Sequence, residues 1–234
     1  MSGPKPKIPI ILLAGGLGTR LREYDGENPK PMVEVENKPF LFWLVKKLFL
    51  DGFDCFYFSL GYKAEKIIAY PWNTFFPECQ FNFDIEKMPL GTGGAVKQII
   101  EKNKIDLAWI INGDTLLEKK IPSFEIPKEN LGVYLVLKKE NIFDDVLNVW
   151  TQNDKIDRIA EGGKYLDAGA ILLKTSLLKN NPVFKTPISI HELLKPQIEK
   201  NKILYKIQEG RCFDIGTKTR IERFKQFLKE TKWS

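Results

Sequence analysis

The residues best suited to chemistry in this chain stand where apolar runs end. Leu13-Ala14-Gly15-Gly16-Leu17-Gly18-Thr19-Arg20-Leu21 leaves the run Ile8-Pro9-Ile10-Ile11-Leu12, and Pro29-Lys30-Pro31-Met32 follows. A glycine-rich turn at the end of a buried strand lets backbone N–H groups approach a polyanion. Arg20 and Lys30 add cations at the same place, which makes a phosphate cradle. Pro29 and Pro31 restrict the backbone on both sides of Lys30, so its side chain is aimed. The competing reading is an ordinary strand-ending turn with two solvated charges. Neither common phosphate fingerprint is present, since the last glycine of G-x-G-x-x-G is missing and no G-K-[ST] ends the loop.

Two further segments have the same form. Glu86-Lys87-Met88-Pro89-Leu90-Gly91-Thr92-Gly93-Gly94-Ala95 stands between a strand-like and a helix-like run, and its glycines would let a flat base lie against the backbone. A helix start built from small residues is the alternative. Asn112-Gly113-Asp114-Thr115 follows Leu107-Ala108-Trp109-Ile110-Ile111. An aspartate just past the carboxyl end of a parallel strand lies where α/β proteins gather ligands, although a turn aspartate capping the next element reads the same way.

The elements that must position these residues alternate through the first half. Strand-like runs cover Ile8 to Leu13, Cys55 to Leu60, Gln80 to Ile85 and Leu107 to Ile111. Helix-like stretches cover Pro39 to Asp51, Ala64 to Tyr70 and Gly93 to Lys102, the first with Phe40, Trp43, Leu44, Lys47 and Leu48 at three-to-four spacing. This order predicts βαβ units and a mainly parallel sheet. In the second half, Gly132 to Leu137, Asn148 to Thr151, Ile156 to Ile159 and Leu166 to Leu173 are successive strands, before helices at Ile190 to Glu199 and Thr217 to Lys229. The expectation is an α/β fold with a Rossmann-like, mainly parallel central sheet flanked by helices, carrying a small antiparallel appendage. No boundary divides residues 1–234, so a single domain is expected.

Composition narrows the function classes. The chain has 234 residues, 43% hydrophobic and 28% charged, which suits one sizeable core. No apolar run reaches membrane-spanning length, and no signal-like segment opens the chain, so a cytoplasmic protein without membrane partners is expected. Three scattered cysteines form neither a zinc site nor a disulfide framework. The formal charge of +6 is spread among thirty acidic residues, so nucleic acid is not expected as a partner. A positive field would still attract phosphorylated substrates.

G-G-x-G-T-R-L followed by P-K-P-M resembles the signature of the sugar-1-phosphate nucleotidyltransferases, also called sugar nucleotide pyrophosphorylases. The resemblance runs from Ile8 to about Phe227, with the motifs in the family's order. It implies the GT-A-like fold of nucleotide-diphospho-sugar transferases, with the antiparallel part on the sugar side. It implies nucleotide binding by Leu13, Ala14, Gly15, Gly16, Gly18 and Thr19, and by Glu86, Leu90, Gly91, Thr92, Gly93 and Gly94. Glu86 falls near the expected base edge, where a carboxylate can accept from guanine N1–H and the 2-amino group. That leans towards GTP.

The same resemblance assigns Arg20, Lys30, Asp114 and Asp214 to catalysis, the last from Cys212-Phe213-Asp214-Ile215-Gly216-Thr217. Asp114 and Asp214 become ligands of Mg²⁺, which takes few protein carboxylates beside phosphate oxygens and water. The sugar phosphate falls to Asn112, Gly113, Glu161, Lys164, Asp167, Gly169 and Glu192. Here the chain departs from the pattern, because no lysine directly follows Glu161; Lys164 or Arg158 is the substitute. His191, in Ser189-Ile190-His191-Glu192, is the sole histidine and reads as a surface or cap residue.

The implied reaction joins a nucleoside triphosphate and a sugar 1-phosphate, releasing pyrophosphate. The nucleophile is already anionic, so catalysis needs positioning and charge neutralisation rather than a general base. The compact length looks most like the D-glycero-D-manno-heptose 1-phosphate guanylyltransferases, which make GDP-heptose for bacterial surface polysaccharide. Mannose 1-phosphate guanylyltransferases and small muramate 1-phosphate-type uridylyltransferases are the alternatives within the family. A non-catalytic nucleotide-sugar-binding regulator is the alternative outside catalysis, and a homodimer is compatible with either.

Overall fold

The computed structural model describes residues 8–16, 28–123, 125–141, 145–179 and 187–231. Strands are β1 (Ile10–Leu13), β2 (Glu34–Val35), β3 (Lys38–Pro39), β4 (Cys55–Leu60), β5 (Gln80–Ile85), β6 (Leu107–Asn112), β7 (Thr115–Leu117), β8 (Gly132–Leu137), β9 (Val149–Gln152), β10 (Lys155–Ile159), β11 (Leu166–Lys174), β12 (Ile203–Ile207) and β13 (Cys212–Asp214). Helices are α1 (Phe40–Leu50), α2 (Ala64–Ile68), α3 (Trp72–Phe75), α4 (Gly91–Asn103), α5 (Ser176–Lys179), α6 (Ile190–Glu199) and α7 (Lys218–Thr231).

Nine strands form one sheet in the order β5-β4-β1-β6-β11-β8-β12-β10-β9. The block β5-β4-β1-β6 is wholly parallel. Further on, β8 and β12 keep that direction, while β11 and β10 are reversed. The chain leaves β1 for β4 and β5 on one side and returns to pair β6 on the other. The carboxyl ends of β1 and β6 therefore flank the switch point where open α/β sheets bind ligands. The antiparallel strands expected as an appendage extend this same sheet, because β11 pairs with β6 along Ala170 to Lys174.

Alternation on β1 builds two cores. Ile10 and Leu12 join the cluster with Phe40, Leu44 and Leu48 of α1 and Phe224 and Phe227 of α7. Ile11 joins Val96 and Ile99 of α4 and Leu193 and Leu194 of α6. Both faces of the strand are covered, which is why its sequence is continuously apolar. Among the described residues no helix is long and apolar enough to cross a membrane.

Two short ribbons escape the sequence pattern. β2 and β3 pair through Glu36 and Asn37, both at positive φ (49° and 60°), the backbone of a tight hairpin. β7 and β13 pair antiparallel, with Asp214 opposite Thr115 and Phe213 opposite Leu116. Phe213 stacks on Phe227 of α7 at 4.4 Å between ring centroids, which fastens this second ribbon to the first core.

At the other end of that ribbon the Glu118 N–H donates to the Arg211 carbonyl, and the Arg211 N–H and Nε donate to Glu118 Oε2 at 2.9 and 3.2 Å. Desolvation alone would raise the Glu118 carboxyl, but Arg211 outweighs it and holds it below the ordinary carboxylate value. A depressed carboxyl contributes stability above its unfolded value and loses it as pH falls through the folded one. Glu118→Gln should therefore lower the thermal midpoint near about pH 7, a loss of about 1 kcal/mol or less because Arg211 is partly exposed, and the deficit should shrink as pH is lowered towards about 3. Melts over that range check it; an equal deficit at both ends contradicts it.

Candidate active site

The carboxyl ends of β1, β4 and β6 crowd together, and glycines make that possible. The Ala14 N–H donates to the Ser59 carbonyl and the Gly113 N–H to the Leu13 carbonyl, both at 2.9 Å. A Cβ at Gly61 would lie 2.7 Å from the Gly15 carbonyl oxygen, and one at Gly113 2.8 Å from that of Leu13. Such approaches are closed to any side chain. Above this seam opens a cavity of about 600 Å³. Its wall includes Leu13 with Ala14, Gly15 and Gly16 just past β1, Asn112 with Asp114 just past β6, Lys30 and Glu86, and Gly91 and Thr92 from the start of α4. Ser59, near the carboxyl end of β4, and Gly61 and Tyr62 just past it also line the cavity. Sequence reasoning missed these three, although their position at the carboxyl end of a parallel strand was the available signal.

Lys30 opens a 3-10 turn at Lys30–Met32 whose Pro31 is buried. From there its Nζ hydrogen-bonds and ion-pairs with Asp114 Oδ2 across the cavity. The stiffened lysine and the strand-end aspartate are thus one unit. Gly18, Thr19 and Arg20 lie outside the described residues.

Glu86 sits at the base of the wall. Its N–H donates to the Leu60 carbonyl, Oε1 accepts from the Ser59 hydroxyl at 3.0 Å, and Oε2 accepts from the Leu90 N–H at 3.0 Å. Each oxygen keeps a second lone pair. Gly15 passes close by, with room for a Cβ only 3.1 Å from Oε1.

The glycines of the Leu90 to Gly94 segment serve a packing role. Gly91, at φ +72°, would place a Cβ 2.4 Å from the Ile188 carbonyl oxygen, and Gly93 one 2.7 Å from that of Ser189. The Gly93 N–H donates to the Ile188 carbonyl and the Ile188 N–H to the Leu90 carbonyl, both at 2.9 Å. Thr92 Oγ1 accepts from the Ile190 N–H at 2.8 Å. The start of α4 is therefore zipped to the start of α6.

Asp214 does not line the cavity, but the β7/β13 ribbon sets it opposite Thr115, the residue after Asp114. Oδ1 accepts from the Gly216 N–H at 2.7 Å, and Oδ2 accepts from Arg220 Nη1 at 2.6 Å. Arg220 Nη2 reaches Asp145 at 2.6 Å. Burial pushes the Cys212 thiol up, and the charges of Asp214, Asp145, Asp114 and Asp167 push it further. Among the described residues no group of three or more His, Cys, Asp and Glu forms a cation cage. Mg²⁺ asks for few protein carboxylates, since it keeps most of its shell for water and substrate oxygens. Of the two expected ligands Asp114 lines the cavity, whereas Asp214 stands off it with both oxygens engaged by Gly216 and Arg220.

The expected sugar-side residues divide. Asp167 and Gly169, on β11, reach β6: Gly169, at φ +66°, would place a Cβ 2.8 Å from Asn112 Nδ2. Asp167 Oδ1 accepts from the Gly169 N–H at 2.8 Å. Glu192 forms a capping box with Ser189, its Oε2 accepting from the Ser189 N–H and hydroxyl. Glu161 and Lys164 are exposed on the turn after β10, away from the cavity wall. Arg158 lies over the Trp150 ring at 4.1 Å.

A model of the nucleotidyl transferase family matches residues 9–140. The D-glycero-alpha-D-manno-heptose 1-phosphate guanylyltransferase of Aneurinibacillus thermoaerophilus is 32% identical, over 88% of this chain and 92% of the relative. Its namesake from Campylobacter jejuni is 31% identical over 88% and 93%. Among solved structures, HddC from Yersinia pseudotuberculosis complexed with GMP-PN superposes with a TM-score of 0.82 at 26% identity, covering 94% of this chain and 99% of that one.

Proposed function

The chain belongs to the nucleotidyl transferase family and is a sugar-1-phosphate nucleotidyltransferase, and from that premise we propose that it transfers the guanylyl group of GTP to D-glycero-D-manno-heptose 1-phosphate. The products are pyrophosphate and GDP-heptose, a precursor of bacterial surface polysaccharide made in the cytoplasm. The observation that carries this reading is the Lys30–Asp114 pair in the cavity wall at the switch point. A cation and a carboxylate held together there exchange partners when a triphosphate arrives. Lys30 turns to phosphate oxygens near the reacting phosphorus, and Asp114 is left with Asp214 to hold Mg²⁺. That ion, when bound, neutralises charge on the departing pyrophosphate. Arg20 adds a second cation on the same phosphates.

No side chain has to remove a proton, because the attacking phosphate is already ionised. The chain's work is to hold two anions in line and to offset their repulsion. The backbone of Leu13 to Gly16, Gly18 and Thr19, with Leu90 to Gly94, receives the nucleotide. Glu86 reads the base: the lone pairs left free by Ser59 and Leu90 accept from guanine N1–H and the 2-amino group. Uracil, by contrast, has one N–H flanked by carbonyl acceptors and cytosine has acceptors at N3 and O2, so neither offers two adjacent donors. The heptose assignment rests on the names of the relatives that cover nearly their whole length. Asp167, Gly169, Asn112 and Gly113 are the candidates on the sugar side, whereas Glu161 and Lys164 stand off the cavity wall and Glu192 is held in its capping box.

The test is pyrophosphate release by the full chain with Mg²⁺ across the four nucleoside triphosphates and a panel of sugar 1-phosphates. GTP with the heptose 1-phosphate should give the highest kcat/KM. A higher value with mannose 1-phosphate, or with UTP, overturns the substrate assignment while leaving the reaction class intact.

A further inference from the structure

We propose that His191 is a specificity residue of this site, its Nδ1 accepting a hydrogen bond from a hydroxyl of the sugar 1-phosphate while Asp167 fixes the ring's tautomer. The inference deepens the proposed function and rests on it for the identity of the acceptor. His191 Nε2 lies 3.0 Å from Asp167 Oδ2. An ionised carboxylate only accepts, so the neutral ring carries its proton on Nε2 and keeps a lone pair on Nδ1. Asp167 is itself fixed, because Oδ1 accepts from the Gly169 N–H at 2.8 Å and its own N–H donates to Asn148 Oδ1 at 2.9 Å. The carboxylate has the role of an orienter, with both oxygens engaged inside the protein.

The pair adjoins the cavity through its neighbours, although neither member is part of the lining. One residue before His191, the Ile190 N–H donates to Thr92 Oγ1, and Thr92 lines the cavity. Two residues after Asp167, Gly169 presses on the amide of Asn112, which lines the cavity too. The His191–Asp167 bond thus joins α6 to β11 between two wall residues. The His191 side chain is 40% exposed, whereas that of Asp167 is 14% exposed. The histidine is the member a ligand can reach. Behind it the Tyr134 ring, 6.3 Å away between centroids, closes the corner, with its hydroxyl buried and without a hydrogen-bond partner.

Charge decides what this corner accepts. A neutral acceptor nitrogen backed by a carboxylate repels a phosphate and matches an O–H donor. Phosphate belongs at Lys30, so the ring faces the hydroxylated part of the sugar. A side chain of the cap type, with Nδ1 turned to a backbone N–H of its own helix, would not need Asp167 to set the tautomer.

The chain has one histidine, so a single imidazole can be followed by ¹⁵N NMR in the full-length protein. The expected spectrum is that of the Nε2–H tautomer. Titration with the heptose 1-phosphate, or with mannose 1-phosphate, should shift the Nδ1 resonance, while inorganic phosphate should leave it in place. Asp167→Asn should mix the two tautomers. In steady state, His191→Ala should raise KM for the sugar 1-phosphate about tenfold, the scale of one lost hydrogen bond. KM for GTP should stay within about twofold. His191→Asn, whose amide oxygen can stand near the Nδ1 position, should recover part of the loss. An Nδ1 resonance unmoved by either sugar phosphate overturns the proposal, whatever the turnover. So does a parent chain that turns over beside a His191→Ala variant with unchanged KM. Absence of turnover with every substrate pair counts against the proposed function instead, and the NMR titration then decides the sugar contact alone.

Discussion

Asp114→Asn should cut pyrophosphate release about 10³-fold and leave the thermal midpoint nearly unchanged. The amide keeps the size of the carboxylate and its hydrogen bond from Thr115, but not its charge. That charge has two roles: it pairs with Lys30, and under the proposed function it also binds Mg²⁺ together with Asp214. Loss of the first costs little stability, about 1 kcal/mol or less, because both partners are open to water in the cavity. Loss of the second removes a preorganised counter-charge at the reacting phosphates, an effect on the scale of about 10²–10³ in kcat for one such group. Lys30→Met separates the two. It should also slow turnover, yet leave Mn²⁺ affinity, read by electron paramagnetic resonance, equal to or above that of the parent, since a competing cation is gone. Asp114→Asn should weaken Mn²⁺ binding. A variant at Asp114 that retains more than about a tenth of the parent's activity contradicts the metal role, and equal Mn²⁺ affinity with lost activity reduces Asp114 to a partner of Lys30.

Much of this arrangement is legible in the sequence because it depends on local pattern. Ile10-Ile11-Leu12 and Leu107 to Ile111 announce themselves as strands buried on both faces, and the glycines and aspartate that follow them mark the switch point. The α1 helix appears within a residue of its expected ends, since Phe40, Leu44 and Leu48 repeat at helical spacing toward one core. What the sequence hides is what depends on contact between distant segments. The β7/β13 ribbon has three residues in each strand, too few for any periodicity, yet it alone brings Asp214 beside the Asp114 end of β6. β12 lies in the interior of the sheet between β8 and β10, but Ile203-Leu204-Tyr205-Lys206-Ile207 offers only five residues with a charge among them. Arg220, which holds Asp214, and Asp145, which pairs with Arg220, carry no motif at all. His191 reads as a cap residue until Asp167, twenty-four positions earlier, is seen beside it.

Gly91→Ala should cost about 3 kcal/mol of stability, whereas Gly16→Ala should change it by no more than about 0.5 kcal/mol and still raise KM for the nucleotide. Both residues belong to glycine-rich turns around one cavity, so the contrast separates two reasons for a glycine. At Gly91 the backbone lies at φ +72° and a Cβ would meet the oxygen, carbon and nitrogen of Ile188 at 2.4, 2.8 and 2.8 Å. Alanine there pays about 1 kcal/mol for the left-handed conformation. It also pushes Ile188 away from the Leu90 carbonyl and the Gly93 N–H, two hydrogen bonds worth about 1 kcal/mol each. For a chain of this length the sum is roughly 6–12 °C in thermal midpoint. The damage should reach the site as well, because the same contacts zip α4 to α6 and seat Thr92 in the wall. At Gly16, by contrast, a Cβ meets nothing within 4 Å among the described residues. The space it leaves is cavity, and a methyl group there would be felt only by what the cavity holds. Thermal melts and KM for GTP measured on both variants decide the matter: a Gly16→Ala chain as destabilised as Gly91→Ala would make the first loop a packing device like the second, and unchanged KM would remove it from the nucleotide's path.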